Sequence, residues 1–497
     1  MEQRQYIRNA TLLEYRPEML YLLPNHSEKP FPALAVLLVF RNAVTLLAVL
    51  LLLLFPRLAA EAQAPSYVIA GLGNLSTSHD GDSFSDAVAI NDAGQVAGVY
   101  LAHNSAGEVK GQRAFLYLHG VVTDLGVPGV NIKCLPAVLL NRAGQVVVDN
   151  DSHEGAKKLA GAENIRTTEA FLYSSAGYVG LGTLATGTSE QGDSAARGVN
   201  DAGEVVGQST VYDTPTHYTL RGAFLYSHGV MTSLCGPAGP HNRDSTAVAI
   251  NNAGQVAGWS DSSDTLGASS TRAAFLYSGG ALISLGSLGT DPDGHGSSQA
   301  VALNRSGQVT GTSEVYVGGK AKGCGAFLYS SGQMLNLGNF GVDKSGVGES
   351  IPCAINDAGQ VIGSSAVYAA DGTPKGHAAF LYSQGHLLNL GSLGVDKSGA
   401  FYSVPLVLNN AGQVLGVSDA YDAAGGILGR RPFLYTGGRL YDLTTLITNK
   451  VGWVGFTVSD LNDMGQICGR GSHQSPGSNI CREEGFVLTL VPPGESR

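Results

Sequence analysis

The sequence predicts an all-β fold, an eight-bladed β-propeller of four-stranded antiparallel blades. Three observations carry this prediction. A motif of the form N-x-[AS]-G-[QE]-V, or a close variant, begins at Asn91, Asn141, Asn200, Asn251, Asn304, Asn356, Asn409 and Asn462. A second motif, A-F-L-Y or a variant, follows each one, with its phenylalanine at Phe115, Phe171, Phe224, Phe275, Phe327, Phe380, Phe433 and Phe486. Short apolar runs bounded by Gly, Asn and Asp lie between them, and nothing beyond residue 65 keeps a 3.6-residue period long enough for a helix. Four strands in every 50–59 residues match a propeller blade.

The chain opens with a leader, residues 1–64. Residues 43–55 read AVTLLAVLLLLLF, with Arg41 just before them and small residues after. Ala60-Glu61-Ala62 and Ala62-Gln63-Ala64 both fit the A-x-A pattern, so cleavage is expected near Ala62 or Ala64. Thirteen residues make ~20 Å of helix, short of a ~30 Å hydrocarbon core. Extending the span back to residue 33 brings Arg41 inside, at a cost of roughly 2.5–3.5 kcal/mol. A cleaved secretory signal is the expectation; an uncleaved membrane anchor is the alternative. Translation from Met19 would shorten the leader. Either reading exports residues 65–497 as a single propeller.

Residues 67–73, Y-V-I-A-G-L-G, form an orphan strand ahead of the first repeat. They resemble the fourth strand of the other repeats, which ends in Leu-Gly. The last repeat stops after 486–491 and lacks its own fourth strand. Residues 67–73 are therefore expected to complete the last blade and close the ring, removing two sheet edges.

The sixth repeat shows the expected blade. Strand 351–355 leads to the turn Asn356-Asp357-Ala358-Gly359, where Gly takes φ > 0 and Asn and Asp bond nearby backbone. Strand 360–364 returns. A loop of about fourteen residues precedes the third strand, 379–382. A tight turn then leads to the fourth, 386–390. Apolar residues on both strand faces suit a blade buried between two neighbours. An open solenoid, the alternative, needs atypical capping repeats.

Composition agrees. Glycine numbers 68 of 497 residues, about twice the usual ~7%, as many tight turns require. Charged residues are 14% and the net charge is −10. That balance argues against a nucleic-acid partner, which needs local Lys and Arg excess. All six cysteines lie in the exported part, where disulfides are permitted. The nearest pair, Cys468 and Cys481, is the expected disulfide. No C-x-x-C spacing supports a zinc site.

The combination A-[IV]-N-[DN]-A-G-Q-V-x-G, A-F-L-Y and L-G-x-L-G resembles the HAF repeat, an extracellular repeat family of bacteria. The resemblance spans residues 67–491. It implies export and no established activity. Family members carry histidine before Ala-Phe; only His377 comes close here, and Arg113, Gly222 and Arg431 stand elsewhere. The position is therefore not read as catalytic or metal-binding. Some relatives end in a membrane-spanning sorting tail, a pattern that residues 491–497 do not show.

Site signals are sparse. Loops between the second and third strands vary most, so a ligand is expected on their face. Twelve residues past the motif asparagine stand His103, His153, Tyr212, Tyr316, Tyr368 and Tyr421. A ring of such side chains could stack on sugars; the plainer alternative is that each covers its own blade end. Asp291-Pro292-Asp293-Gly294 and Asp80-Gly81-Asp82 read as turns, because their twelfth positions are Ala302 and Asn91 and not the Glu of a calcium loop. The G-V-D-K-S-G loops 341–346 and 394–399 read as equivalent inter-blade turns with solvated Asp343/Lys344 and Asp396/Lys397. No G-x-S-x-G, Walker or H-E-x-x-H motif is present. The expected function is a non-enzymatic binding or structural module, monomeric, without cofactor or metal, facing an extracellular glycan or protein. Membrane contact is expected only through an uncleaved leader. The alternative is an extracellular carbohydrate-active enzyme with paired carboxylates in the propeller cleft.

Overall fold

Repeats one to seven each fold as two hairpins laid side by side, and the sixth shows how. Its strands are Gly348–Ile355, Val361–Tyr368, Pro374–Ser383 and His386–Asn389, paired antiparallel in chain order. All four expected strands are present, but the middle two are longer than expected. The fourteen-residue loop shrinks to residues 369–373. The reason is continued pairing: Ser365 faces Ala378, Ala366 faces His377 and Val367 faces Gly376. Small and β-branched residues there keep the ladder going until Gly372 turns the chain.

The computed structural model describes residues 64–73, 75–76, 83–128, 138–152, 167–185, 192–212, 219–235, 242–263, 270–474 and 481–492. These belong to the compact unit Ala64–Arg497, which is distinct from Met1–Gln63. The apolar stretch 43–55, Ala62, Cys134, His153 and Asp80-Gly81-Asp82 lie outside the described residues. Ala64 is exposed. No helix among the described residues is long and apolar enough to cross a membrane.

The expected all-β class is observed. Five four-stranded antiparallel sheets stand alone. A further three such sets join into one twelve-stranded sheet through two-residue parallel pairs, Gly323–Gly348 with Cys324–Glu349, and Gly376–Phe401 with His377–Tyr402. The sole helix among the described residues is a single turn, Leu443–Leu446, whose N-cap Asp442 accepts from the Thr444 N–H. The N-terminal strand Tyr67–Gly71 pairs antiparallel with Cys481–Leu490, from Tyr67 opposite Leu490 to Gly71 opposite Phe486. It is the outer strand of the sheet that also holds Ile467–Gln474 and Trp453–Leu461. Alternation drives this docking: Tyr67 and Ile69 point inward while Val68 and Ala70 face solvent.

The core is divided into layers between successive repeats. Ile362, Ala379 and Leu381 of the sixth repeat pack against Val414, Phe433 and Tyr435 of the seventh. Leu415 and Leu434 of the seventh meet Tyr67, Ile467 and Phe486. Cys468 and Val487 of the last repeat meet Ala87, Val96 and Phe115 of the first. Six serines, each six residues before a motif asparagine, add a polar stitch. Ser85, Ser194, Ser245, Ser298, Ser350 and Ser403 accept through Oγ from backbone N–H groups of the neighbouring repeat at 2.9–3.1 Å.

The second glycine of the motif makes room for the phenylalanine of A-F-L-Y. A Cβ at Gly311 would run into the Gln299 carbonyl oxygen and lie 2.7 Å from Phe327 Cζ. Gly98, Gly258, Gly363 and Gly416 are confined in the same way. Repeat two supplies the natural exception. Val148 stands there, and Phe171 is only partly buried, turned edge-on to Tyr178 at 6.0 Å. The other seven phenylalanines are fully buried. Gly311→Val is therefore expected to displace Phe327 and cost about 3 kcal/mol. Denaturant unfolding checks this; a midpoint equal to the parent's contradicts it.

The expected Cys468–Cys481 disulfide is overturned. Both are unbonded thiols, one buried and one exposed. Cys468 lies opposite Val487 and Cys481 opposite Gln474, so they sit six residues apart along one hairpin. At ~3.4 Å per residue that is about 20 Å, far beyond the ~7 Å limit for bridging.

Candidate functional site

The motif turn is built around its asparagine. Asn251 Oδ1 accepts from the N–H groups of Ala253 and Gln255, both at 3.0 Å. Its Nδ2 donates to Gln255 Oε1 at 2.8 Å and to the Asn304 carbonyl oxygen at 3.1 Å. The last bond leaves the repeat, and it recurs at every motif. Asn91 donates to Asn141, Asn141 to Asn200, Asn200 to Asn251, Asn304 to Asn356, Asn356 to Asn409 and Asn409 to Asn462. Asn462 donates back to Asn91 at 2.9 Å. The eight buried asparagines thus form a closed hydrogen-bonded circuit. The turn glycines, with φ between 71° and 81°, complete it. A Cβ at Gly307 would lie 2.7 Å from Gln255 Oε1 of the preceding repeat.

A second, broken circuit runs through the next residue of each turn. The N–H groups of Arg142, Asp201, Arg305, Asp357, Asn410 and Asp463 donate at 2.8–3.1 Å to Oδ1 of Asp201, Asn252, Asp357, Asn410, Asp463 and Asp92. Arg142 and Arg305 offer no acceptor, and they break it. They serve instead as ion-pair partners: Arg142 reaches Asp92 at 3.0 Å and Asp463 at 3.5 Å, and Arg305 reaches Asp357 at 3.5 Å.

These turns ring a cavity of about 390 Å³, lined by residues of all eight repeats. Below the polar rim, its wall is the residue before each motif asparagine: Ile90, Leu140, Val199, Ile250, Leu303, Ile355, Leu408 and Leu461. Each following asparagine gives its N–H to the Gln or Glu carbonyl across the turn. In an antiparallel ladder the preceding residue then turns its N–H away from the partner strand, here toward the cavity. Asp460 shows this directly. Its Oδ2 accepts from the Ile90 N–H and its Oδ1 from the Leu461 N–H, both at 2.9 Å. Burial pushes the Asp460 carboxyl up to about 6 against those two bonds, and Asp92 adds to the rise.

A second buried carboxylate lies between repeats two and three. Asp149 accepts from the Ala196 N–H at 3.0 Å. Burial pushes it up to about 6, opposed by that bond and by Arg197. With the folded value above the unfolded one, its stabilising contribution is complete below pH ~4 and is lost as pH rises through ~6. The change is about 3 kcal/mol. Asp149→Asn keeps an acceptor and removes the charge. The variant is expected to exceed the parent by about 3 kcal/mol at pH 7.5, and to lose that advantage at pH 4. Urea midpoints at both values check this; an equal difference at the two pH values contradicts it.

The loop-end residues fall elsewhere. His103, Tyr316, Tyr368 and Tyr421 are half-buried at the far ends of their strands, away from the cavity lining. Tyr212 ends the strand Val205–Tyr212. His103 bonds Ser76, and Tyr316 donates to Glu314 at 3.2 Å. Tyr368 and Tyr421 lie against Gly341 and Gly394 of their own incoming loops. No contact joins two of these side chains among the described residues.

Paired carboxylates are present but engaged by neighbouring side chains. Arg470 lies between Asp86, at 3.4 Å, and Glu483, at 3.2 Å. His473 bonds Glu484 at 2.9 Å and stacks on Trp453 at 4.5 Å. Asp291 Oδ1 accepts from the N–H groups of Asp293 and His295, as a turn aspartate does. Ligand atoms of Asp291, Asp293 and His295 lie within 4.8 Å of one another, and turn geometry accounts for them. Asp343 and Asp396 hold their G-V-D-K-S-G loops by the same bonds. Two features escaped the sequence reading: the serine column and Asp460. The serine recurrence was visible six residues before the motif. The role of Asp460, which stands where other repeats have Ala, Gly, Leu or Val, needed the strand edge to be placed.

No family model and no curated protein matches the chain. Solved structures to which it is similar include the β-propeller domain of the Trilobed protease from Pyrococcus furiosus. That match has 8% identity and a TM-score of 0.44, over 73% of this chain and 95% of that one. The Dos1 propeller matches at 7% identity and 0.35, over 85% and 94%. The polysaccharide lyase Uly1 matches at 9% identity and 0.32, over 75% and 93%. Likeness this distant carries no argument about activity.

Proposed function

We propose that the chain is an eight-bladed β-propeller of HAF-like repeats, closed by residues 67–73, that acts as an exported non-enzymatic binding or structural module. The supporting observation is the asparagine circuit. Each motif asparagine spends its carboxamide on its own turn and on the next repeat, and Asn91, Asn200, Asn251 and Asn462 accept two N–H bonds and donate two. An Asn that already accepts two N–H bonds and donates two has nothing left for catalysis. At the rim Arg142 serves both Asp92 and Asp463, and Arg305 serves Asp357. Such a centre holds blades in register and presents a fixed polar cavity.

The test is a glycan-array and hydrolysis screen on the purified chain. Binding without product supports the module; product formation overturns it. Tyr316→Ala, Tyr368→Ala and Tyr421→Ala together locate the ligand on the loop face if they abolish binding. N-terminal sequencing of the exported protein tests the leader: a mature start near Pro65 supports cleavage, and an intact leader supports the anchor.

A further inference from the structure

We infer that the cavity is a binding site for a neutral polyhydroxylated ligand, such as a sugar unit, held by inward backbone N–H groups below and by the carboxylate and carboxamide rim above. The inference rests on the reading of the chain as a binding module. Its first support is Asp460. One carboxylate takes the N–H groups of two neighbouring repeats, Ile90 and Leu461. The protein itself thus shows that these donors converge at a spacing one small group can span. Asp460 fills two of eight equivalent positions. Leu140, Val199, Ile250, Leu303, Ile355 and Leu408 line the rest of the cavity wall.

The donors alone would suit any acceptor. The rim narrows the class. Arg142 is engaged with Asp92 and Asp463, and Arg305 with Asp357, so no unpaired cation waits for an anion. Asp201 accepts from the Arg142 N–H and from Asn252 Nδ2 at 2.6 Å. Each rim carboxylate nonetheless keeps lone pairs to spare. No three of these carboxylates lie at metal-ligand spacing among the described residues. Donors below and acceptors above match hydroxyl groups, which accept and donate at once. An anion would also meet more carboxylates than cations, since Asp92, Asp201, Asp357, Asp460 and Asp463 line the cavity with only Arg142 and Arg305. At about 390 Å³ the cavity is of ligand-pocket size.

The side chain two residues before each motif asparagine gives a way to plug the site. Asp460 reaches the Ile90 N–H of the next repeat from there. A Cβ on Gly198, at the same position, would lie 3.3 Å from the Ile250 N. Ala302→Asp should accordingly place a carboxylate on the Leu303 and Ile355 N–H groups. Asp460 is the precedent that the fold accepts one. If that variant does not fold, Ala302→Val, with Val407 as precedent, narrows the same space.

The experiment is titration calorimetry and saturation-transfer NMR on the purified chain with maltose, cellobiose and xylobiose. Glucosamine and glucuronate serve as charged counterparts. We expect at least one neutral disaccharide to bind, at least tenfold weaker binding in the plugged variant, which still unfolds in one cooperative transition, and retained or tighter binding in Asp460→Ala. Neutral sugars that fail to bind overturn the inference. So does binding that ignores the plug, or a preference for either charged probe. Product formation from a bound sugar would instead overturn the non-enzymatic reading while leaving the site in place.

Discussion

Deleting residues 65–75 is expected to abolish the single cooperative unfolding transition. The strand Tyr67–Gly71 supplies a five-residue ladder to Cys481–Leu490. With Leu72 it buries three large side chains, Tyr67 at 0%, Ile69 at 7% and Leu72 at 6% exposure. At ~1.5–3 kcal/mol for each buried side chain, the loss is about 6 kcal/mol before any hydrogen bond is counted. That approaches the whole stability of a typical domain, ~5–15 kcal/mol. Further bonds go with it: the Tyr67 carbonyl accepts from the Thr448 N–H at 2.9 Å, and Asn449 bonds both the N–H and the carbonyl of Ile69. Circular dichroism and calorimetry on the deletion variant read the outcome. Parent-like melting would show that closure by this strand contributes little. Tyr67→Phe is the counter-case. The Tyr67 hydroxyl is buried without a hydrogen-bond partner, and burial raises its pKa to about 12. Removing it is expected to stabilise the fold by about 1 kcal/mol. A destabilised Tyr67→Phe would show that the hydroxyl is in fact satisfied.

Asn251→Ala is expected to cost about 4 kcal/mol. The substitution removes two donors and two acceptors at a residue only 6% exposed. It leaves the Ala253 and Gln255 N–H groups, Gln255 Oε1 and the Asn304 carbonyl seeking partners, each worth ~1 kcal/mol or more. Asn251→Asp separates the two halves of the asparagine's work. Its carboxylate keeps the two acceptor bonds within the turn but faces Gln255 Oε1 and the Asn304 carbonyl with no donor. It should therefore lie between parent and alanine, and improve as pH falls and the carboxyl gains a proton. Urea midpoints for the three proteins check this. An alanine variant within 1 kcal/mol of the parent would mean that water replaces the circuit.

The motif residues were legible as turn chemistry. Asn, Gly and Gln at fixed spacing, with A-F-L-Y about 24 residues on, marked hairpins and their order. The orphan strand at residue 67 was legible from its Leu-Gly ending. What escaped was whatever depends on a neighbouring repeat. The length of the middle strands followed from cross-strand pairing that composition does not encode. The Cys468–Cys481 pairing failed because nearness in sequence ignores register, which put the thiols at opposite ends of a hairpin. The loop-end tyrosines recur in sequence, yet their surroundings are their own incoming loops.

The sequence by itself determined the repeat, the all-β class and the strand that joins the two ends. Those features rest on local turn geometry and on the two-residue alternation of strands, both written within one repeat. Only the tertiary structure decided that the motif asparagines bond one another in a closed circuit, that Val148 turns Phe171 out, and that Asp460 reaches the cavity. These depend on contacts between residues 23, about 50 or several hundred positions apart. There, distance and orientation in space, and not residue type, set the hydrogen bond or the clash.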